Sequence, residues 1–124
     1  MRIFGESPET LFVNAAIAFF ELIAETEKVE EKETVIINVE GEDIKELLVR
    51  WLSELHFRFE VDQLLFKNFK ISGFGEKSLS ATACGEKFDP ERHKLKTEVK
   101  GVTYHQLKLE PAGDGWVAEI IFDV

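Results

Sequence analysis

The sequence predicts an α+β fold in which two helices pack on a mixed, largely antiparallel β-sheet. Two stretches in the first half of the chain carry apolar residues at the three- and four-residue spacing of an amphipathic helix. The second half alternates strand-forming runs with short turns. The predicted order is β-α-β-α followed by four β-segments, with no internal repeat or linker, so we expect a single domain over residues 1–124.

The composition agrees with one folded domain. The chain has 124 residues, and 44% of them are hydrophobic, including eleven phenylalanines. This is enough apolar material to build a core, and it argues against global disorder. The longest uncharged apolar run lies within "LFVNAAIAFF". It is too short to cross a bilayer and follows no basic signal region, so we expect a cytoplasmic protein without a membrane partner.

The first half of the chain predicts a strand, a helix, a second strand and a second helix. Residues 1–5 predict the first strand, and Ser7 and Pro8 then suit the N-cap and first position of a helix. Apolar residues at helical spacing continue that helix to about Glu25. After a charged loop and the β-branched run "TVIINVEG", the second helix is predicted at about residues 42–57.

The second half predicts four strands joined by turns. The runs "LLFKNFKISGFG" and "SLSATACGEKF" are separated by residues 75–77, which is the spacing of a hairpin. The segment "DPERHK" predicts a turn, because Asp-Pro favours turn initiation. A long strand from Leu95 to Glu110 and a last strand, "WVAEIIFDV", complete the order.

The long strand contains the stretch "EVKGVTYHQLKLE", with an unusual set of polar residues. Strict alternation places Lys100 and Tyr104 on one face and His105 on the other, unless a bulge at Gly101 intervenes. This separation argues against Lys100, Tyr104 and His105 acting as one catalytic triad. Taken alone, the pattern favours a half-buried strand with a solvated lysine.

The end of the chain places two carboxylates side by side, those of Asp123 and of the last residue, Val124. Hard cations such as Ca²⁺ bind oxygen ligands and require several of them. This pair supplies part of such a shell, so a metal site here needs at least one further acid from elsewhere. The alternative is a frayed, solvated terminus.

The net charge of −9, from 24 acidic and 15 basic residues, bears on the choice of partner. Nucleic acids are bound largely by Lys and Arg that neutralise phosphates, and this chain has no strong basic stripe. We therefore expect a protein partner with a basic surface rather than strong direct binding of nucleic acid. Solubility alone is the alternative reason for the charge.

Three further residues are of types that occur in catalytic or metal-binding sites. Cys84 is the only cysteine, which excludes an intramolecular disulfide and a zinc site built on several thiolates. His56 is predicted near the end of the second helix, where imidazole is favourable beside the helix C-terminus. His93 lies in the predicted turn and is expected to be solvated. None of the common metalloprotease, nucleophile-elbow or phosphate-loop motifs is present.

Several segments resemble one family, and together they cover the chain in order. "FGESPETLFVNAAIAFF" resembles the first helix of the archeases, and "GEDIKELLVRWLSEL" resembles their second. "ACGEKFDPERHKLKTEVKGVTYHQLKLE" resembles their central signature, of the form GExxDxxxHxxxxEVKAxTYHxL. "WVAEIIFDV" is similar to their ending, an aspartate followed by the last residue.

The resemblance implies an accessory protein of RNA ligation rather than an enzyme. Archeases are activators of the metal- and GTP-dependent ligase that joins tRNA halves through a 2′,3′-cyclic or 3′-phosphate. They promote guanylylation of the ligase and allow multiple turnover. Carried over to this chain, Asp123 and the Val124 carboxylate become ligands of a divalent metal, with Ca²⁺ expected. Lys100 becomes the functional lysine.

One feature departs from the family pattern. The family usually begins with a strand bearing His-Thr-Ala-Asp, whose aspartate joins the metal site. This chain starts at "MRIFGES", just after the position of that motif. Either Met1 lies downstream of the true start, or this member lacks the third acid.

Two other classes of function remain open. A general chaperone or protein-interaction module agrees with the phenylalanine-rich, acidic composition. A small metal-dependent hydrolase requires at least one more metal ligand and a base, for which the sequence offers no convincing set.

Overall fold

The structure, a computed structural model, describes residues 1–124 and confirms the α+β class and the predicted order of elements. In chain order these are β1 (Arg2–Gly5), α1 (Pro8–Ile23), β2 (Glu33–Glu40), α2 (Ile44–Asp62), β3 (Leu64–Phe74), β4 (Ser78–Lys87), β5 (Gly101–Ala112) and β6 (Gly115–Asp123). All strand pairs are antiparallel. The strands are divided between two three-stranded sheets, in the orders β1-β6-β5 and β2-β4-β3.

The two helices lie between the two sheets. Helix α1 contacts β1 and β3, helix α2 contacts β5 and β2, and the backbones of the two sheets do not approach each other within 8 Å between Cα atoms. The buried Trp51 indole joins the helices by donating a hydrogen bond from Nε1 to the Phe12 carbonyl oxygen, 3.0 Å away. Each helix therefore buries apolar side chains against both sheets, which accounts for the apolar stripes seen in the sequence.

Aromatic side chains fill the centre of this arrangement. Phe20 of α1 packs edge-on against Phe66 of β3, with ring centroids 5.6 Å apart, and stacks on Phe69 of the same strand at 6.0 Å. On the other sheet, Phe122 of β6 lies 5.4 Å from Phe19. Burial of each such side chain contributes roughly 2–3 kcal/mol. The phenylalanine-rich composition is thus explained by the core.

Helix α1 begins as the sequence predicts and ends slightly earlier. The Ser7 hydroxyl accepts a hydrogen bond from the Thr10 amide at 3.2 Å, and Pro8 occupies the first turn. The helix ends at Ile23 because Ala24 is extended and forms a β-bridge with Leu95.

Helix α2 begins near the predicted position and runs past the predicted end to Asp62. The Asp43 side chain caps its start by accepting from the Glu46 amide at 2.9 Å. Its last turns are supported by Arg58, which pairs with Glu54 at 2.9 Å and with Asp62 at 3.8 Å. Neither helix has the length and apolar content that a membrane-spanning helix requires.

The predicted hairpin between β3 and β4 is present, and Gly85 near its open end sits against the neighbouring strand. A Cβ atom added to Gly85 would lie 1.8 Å from the Leu65 carbonyl oxygen. No such clash exists at Gly101, where no atom lies within 4 Å of an added Cβ. Glycine is therefore required at position 85 to let the two backbones approach.

We expect Gly85→Ala to destabilise the protein by about 3 kcal/mol, because β3 and β4 must separate to admit the methyl group. Gly101→Ala is the matched control and should change the free energy of unfolding by less than about 0.5 kcal/mol. Urea unfolding followed by circular dichroism measures both. Equal stability of the two variants would contradict the packing at Gly85.

Candidate functional site

The segment between β4 and β5, residues 88–100, is called the connector below. The sequence predicts strand from Leu95 onward, but β5 begins only at Gly101. The prediction was wrong here because the middle of the connector bonds to the end of α1 instead of a neighbouring strand. The Lys96 amide donates to the Ile23 carbonyl at 2.7 Å, and the Glu25 amide donates to the Lys94 carbonyl at 2.9 Å.

The connector brings Lys100 to the end of β6. The Lys100 amide donates a hydrogen bond to the Asp123 carbonyl at 2.6 Å, and the next residue, Gly101, pairs with Asp123 in the sheet. Lys100, Asp123 and Val124 are all exposed. The structure therefore brings the three predicted site residues to one end of the β1-β6-β5 sheet, with their side chains open to a partner.

The oxygen donors gathered at this place are too few to form a metal site by themselves. The chain gathers no group of three or more His, Cys, Asp or Glu side chains that could hold a metal ion. Ca²⁺ takes about six to eight oxygen ligands. Asp123 and Val124 fit such an ion as donors, but by themselves they supply only part of its coordination shell.

His56 lies in the body of α2, so its predicted place near the helix C-terminus was wrong. The helix is longer than expected, and the imidazole points to the connector. Its Nε2 atom lies 2.7 Å from the Val99 carbonyl oxygen and 3.1 Å from Glu60 Oε1. Because a carbonyl oxygen only accepts, the ring carries a proton on Nε2 and donates it to Val99.

A buried charged cluster holds the other end of the connector, and sequence reasoning missed it. Glu86, at the end of β4, is 4% exposed. Arg92 donates to both of its carboxylate oxygens, from Nη1 at 2.8 Å and from Nη2 at 3.0 Å. The Glu30 amide donates to Oε2 at 2.6 Å. The cluster thus ties the connector and the loop before β2 to the end of β4.

His93 belongs to this cluster, so the expectation that it is solvated was wrong. Its side chain is buried, and its ring lies between the Asp89 amide and the Glu86 carboxylate. Its Nδ1 atom accepts from the Asp89 amide at 2.9 Å, which places the ring proton on Nε2. That proton is donated to Glu86 at 3.1 Å. The available signal was the archease-like central signature, which contains Glu86, Asp89 and His93.

The Glu86 carboxyl stays ionised because its partners outweigh the effect of burial. The hydrogen bond from Arg92 is the main cause, with further hydrogen bonds from the Glu30 amide and His93. Burial acts in the opposite direction, and the net result is a pKa lowered from 4.5 to about 2. Glu86 therefore carries a negative charge at any pH near neutrality, and the Arg92 guanidinium balances it.

The irregularity in β5 lies beyond Gly101, at a different place from the predicted bulge. Gly101 pairs regularly with Asp123, and the register shifts between Thr103 and Lys108. Within that shift Gln106 has a φ of 54°, in the left-handed region. Partial burial and the nearby Glu46 carboxylate raise the pKa of Tyr104. Tyr104 therefore lies near the first turn of α2.

The fold and the site define a small α+β domain that brings a lysine and the acids of its last residues to one end of a sheet. The model of the Archease protein family (MTH1598/TM1083) matches residues 1–124. Protein archease of Methanopyrus kandleri is 44% identical over 126 residues, covering 99% of this chain and 90% of the relative. That of Pyrococcus furiosus is 40% identical, covering 100% and 90%. The chain therefore belongs to the archease family, which confirms the resemblance.

Solved structures agree with this assignment. The solution structure of Methanobacterium thermoautotrophicum protein 1598 has a TM-score of 0.81 and 32% identity, covering 99% of this chain and 89% of that one. The crystal structure of a Thermotoga maritima archease has a TM-score of 0.71 at 21% identity, covering 100% and 88%. The second likeness supports the fold alone.

We expect Glu86→Gln to lower the free energy of unfolding by about 2 kcal/mol at pH 7, because Arg92 and His93 lose a charged acceptor. The folded pKa of Glu86 is depressed, so the carboxylate's contribution is complete above about pH 4.5 and is lost as the pH falls towards 2. The stability difference between the two proteins should narrow over that range. Urea unfolding at several pH values measures it.

Glu91→Gln is the control for that experiment, since Glu91 is an exposed acid of the same connector. It should leave the stability at pH 7 unchanged within about 0.5 kcal/mol. A Glu86→Gln variant as stable as the Glu91→Gln variant would contradict the role of the cluster.

Proposed function

We propose that this chain activates the metal- and GTP-dependent RNA ligase that joins tRNA halves through a 2′,3′-cyclic or 3′-phosphate. It promotes guanylylation of the ligase and allows repeated turnover, and it acts as an accessory protein rather than an enzyme. Family membership supports this role, since residues 1–124 match the archease model. The observation that carries it is the hydrogen bond from the Lys100 amide to the Asp123 carbonyl, which places the backbone of the implied lysine beside that of the implied acids.

The charge of the chain supports a basic protein partner. The net charge of −9 steers an acidic surface towards a positively charged one, such as the surroundings of a nucleotide- and RNA-binding site. Lys100 then supplies a compact positive charge to a phosphate of the partner or holds the neighbouring acids in place. Stimulation that depends on such steering should weaken as the salt concentration rises.

We further propose that Asp123 and Val124 provide two of the carboxylates for a divalent cation, with Ca²⁺ as the expected ion. The remaining ligands come from outside the set that the structure brings together. Both donors are exposed, so a docked partner can complete the coordination shell.

Guanylylation of the cognate ligase, measured with and without this protein, tests the activating role. We expect Lys100→Ala and Asp123→Ala to lower the stimulation about tenfold, the effect of losing roughly 1.4 kcal/mol of a charge-assisted contact. Lys108→Ala and Asp114→Ala are matched controls, because both side chains are exposed on β5 or its turn away from residues 100 and 123. Absence of stimulation by the unmodified protein would refute the proposal.

Calorimetric titration with Ca²⁺, in the presence of the ligase, tests the metal ligands. Asp123→Asn removes one anionic donor while keeping its shape, so we expect the affinity for Ca²⁺ to fall about tenfold or more. Asp114→Asn should leave the affinity unchanged. Identical titrations for the two variants would exclude Asp123 as a ligand.

A general chaperone is the second candidate. The Thermotoga maritima relative is described as a possible chaperone. This chain also exposes large apolar side chains, including Phe4, Ile36 and Phe57. A chaperone of this kind should suppress the aggregation of unrelated clients, and Asp123→Ala should leave that activity intact. Activation of the ligase, in contrast, requires Asp123.

A further inference from the structure

We propose that His56 is a positioning residue for Lys100. The inference rests on the proposed function for the importance of Lys100, but the contact stands on the geometry. The peptide unit that links Val99 to Lys100 is bound at both of its polar atoms. Its carbonyl oxygen accepts from His56 Nε2 at 2.7 Å, and its N–H donates to the Asp123 carbonyl at 2.6 Å.

Binding at both ends determines the orientation of this peptide plane. One hydrogen bond leaves a peptide free to rock about the bonded atom, whereas two bonds on opposite sides remove that motion. This peptide fixes the N and Cα atoms of Lys100, and the pairing of Gly101 with Asp123 fixes the chain that follows, so together they set the Cα–Cβ direction of Lys100. The lysine therefore leaves the surface in a defined direction, set by α2 on one side and by β6 on the other.

His56 is itself held rigidly. It projects from the body of α2, and its side chain is 14% exposed. The ring packs edge-on against Phe19 of α1, with centroids 5.9 Å apart. Glu60, one turn further along α2, lies 3.1 Å from the same Nε2 atom. Because the His56 ring is fixed by these contacts, its hydrogen bond can hold the connector in place.

The buried side chain of Val99 anchors one end of this part of the connector in the core, but the residues before it border open space. A cavity of about 370 Å³ lies between α2 and the connector, lined by residues that include His56, Phe59, Leu95 and Thr97. The connector has room to shift into this space if the bond to His56 is lost. The bond from His56 accordingly adds to the burial of Val99 in fixing the orientation of the peptide before Lys100. Misplacement of a functional group by about 1 Å can cost a large factor in rate.

Three substitutions of His56 distinguish the effect of its hydrogen bond from the effect of its ring. His56→Phe keeps a ring but removes the donor, and His56→Asn keeps a donor that is too short to reach Val99. His56→Gln places an amide nitrogen near the position of Nε2. We expect the first two to lower stimulation of ligase guanylylation about tenfold and the third to retain most of it. Glu60→Gln leaves the bond to Val99 in place and should behave as the unmodified protein.

Hydrogen exchange of the Lys100 amide gives a readout that needs no ligase. This amide should lose protection in His56→Phe and His56→Asn and keep it in His56→Gln and Glu60→Gln. Unchanged protection in the first two would overturn the proposal. If His56→Phe does not fold, which circular dichroism shows, the polar His56→Asn variant decides.

A double variant shows whether His56 acts through Lys100. Adding His56→Phe to Lys100→Ala should cause no further loss of stimulation, because the group that His56 positions is already absent. Additive losses would overturn the proposal. If Lys100→Ala alone leaves stimulation intact, the role of Lys100 in the proposed function fails, while the exchange of the Lys100 amide still decides the contact with His56.

Discussion

The peptide unit between Val99 and Lys100 is the point on which the arrangement of the site depends. It belongs to no strand, yet α2 binds its carbonyl oxygen and β6 binds its N–H. Further back along the connector, the end of α1 binds Lys94 and Lys96 through backbone hydrogen bonds. Elements that are distant in sequence thus converge on one short segment. The place of Lys100 is a property of the whole fold, because displacement of either helix would move it.

The buried carboxylate of Glu86 holds the other end of the connector, through Arg92 and His93. A buried ion pair is weak evidence for stability, since desolvation offsets much of the attraction. In this cluster every carboxylate oxygen has a donor, and the donors come from Arg92, His93 and the Glu30 amide. Hydrogen bonds are directional, so these donors reach the carboxylate in only one arrangement of the connector. We infer that the cluster specifies the path of the connector more than it adds to stability.

Sequence reasoning succeeded where structure is local and failed where a partner is distant. Both helices and the β3–β4 hairpin follow from periodicity and turn residues within each segment. The strand-like alternation of residues 95–100 was misleading, because Lys94 and Lys96 bond to the end of α1 and only Lys100 bonds to a strand. His93 was assigned to solvent because its acceptor, Glu86, lies across a turn. Lys100 lies beside Asp123 because β5 pairs with β6. The residue pattern of either strand alone does not predict this pairing.

The exposure of the site has a consequence for how it can work. In water, an exposed lysine and exposed carboxylates interact by only about 0–1 kcal/mol, and salt screens even that. Lys100, Asp123 and Val124 are all in this condition in the isolated chain. When a partner covers them, the effective dielectric constant falls and the same charges interact several-fold more strongly. A site whose backbone is held rigidly while its charges remain weakly coupled is therefore suited to act after docking, which is the behaviour that the proposed activating role requires.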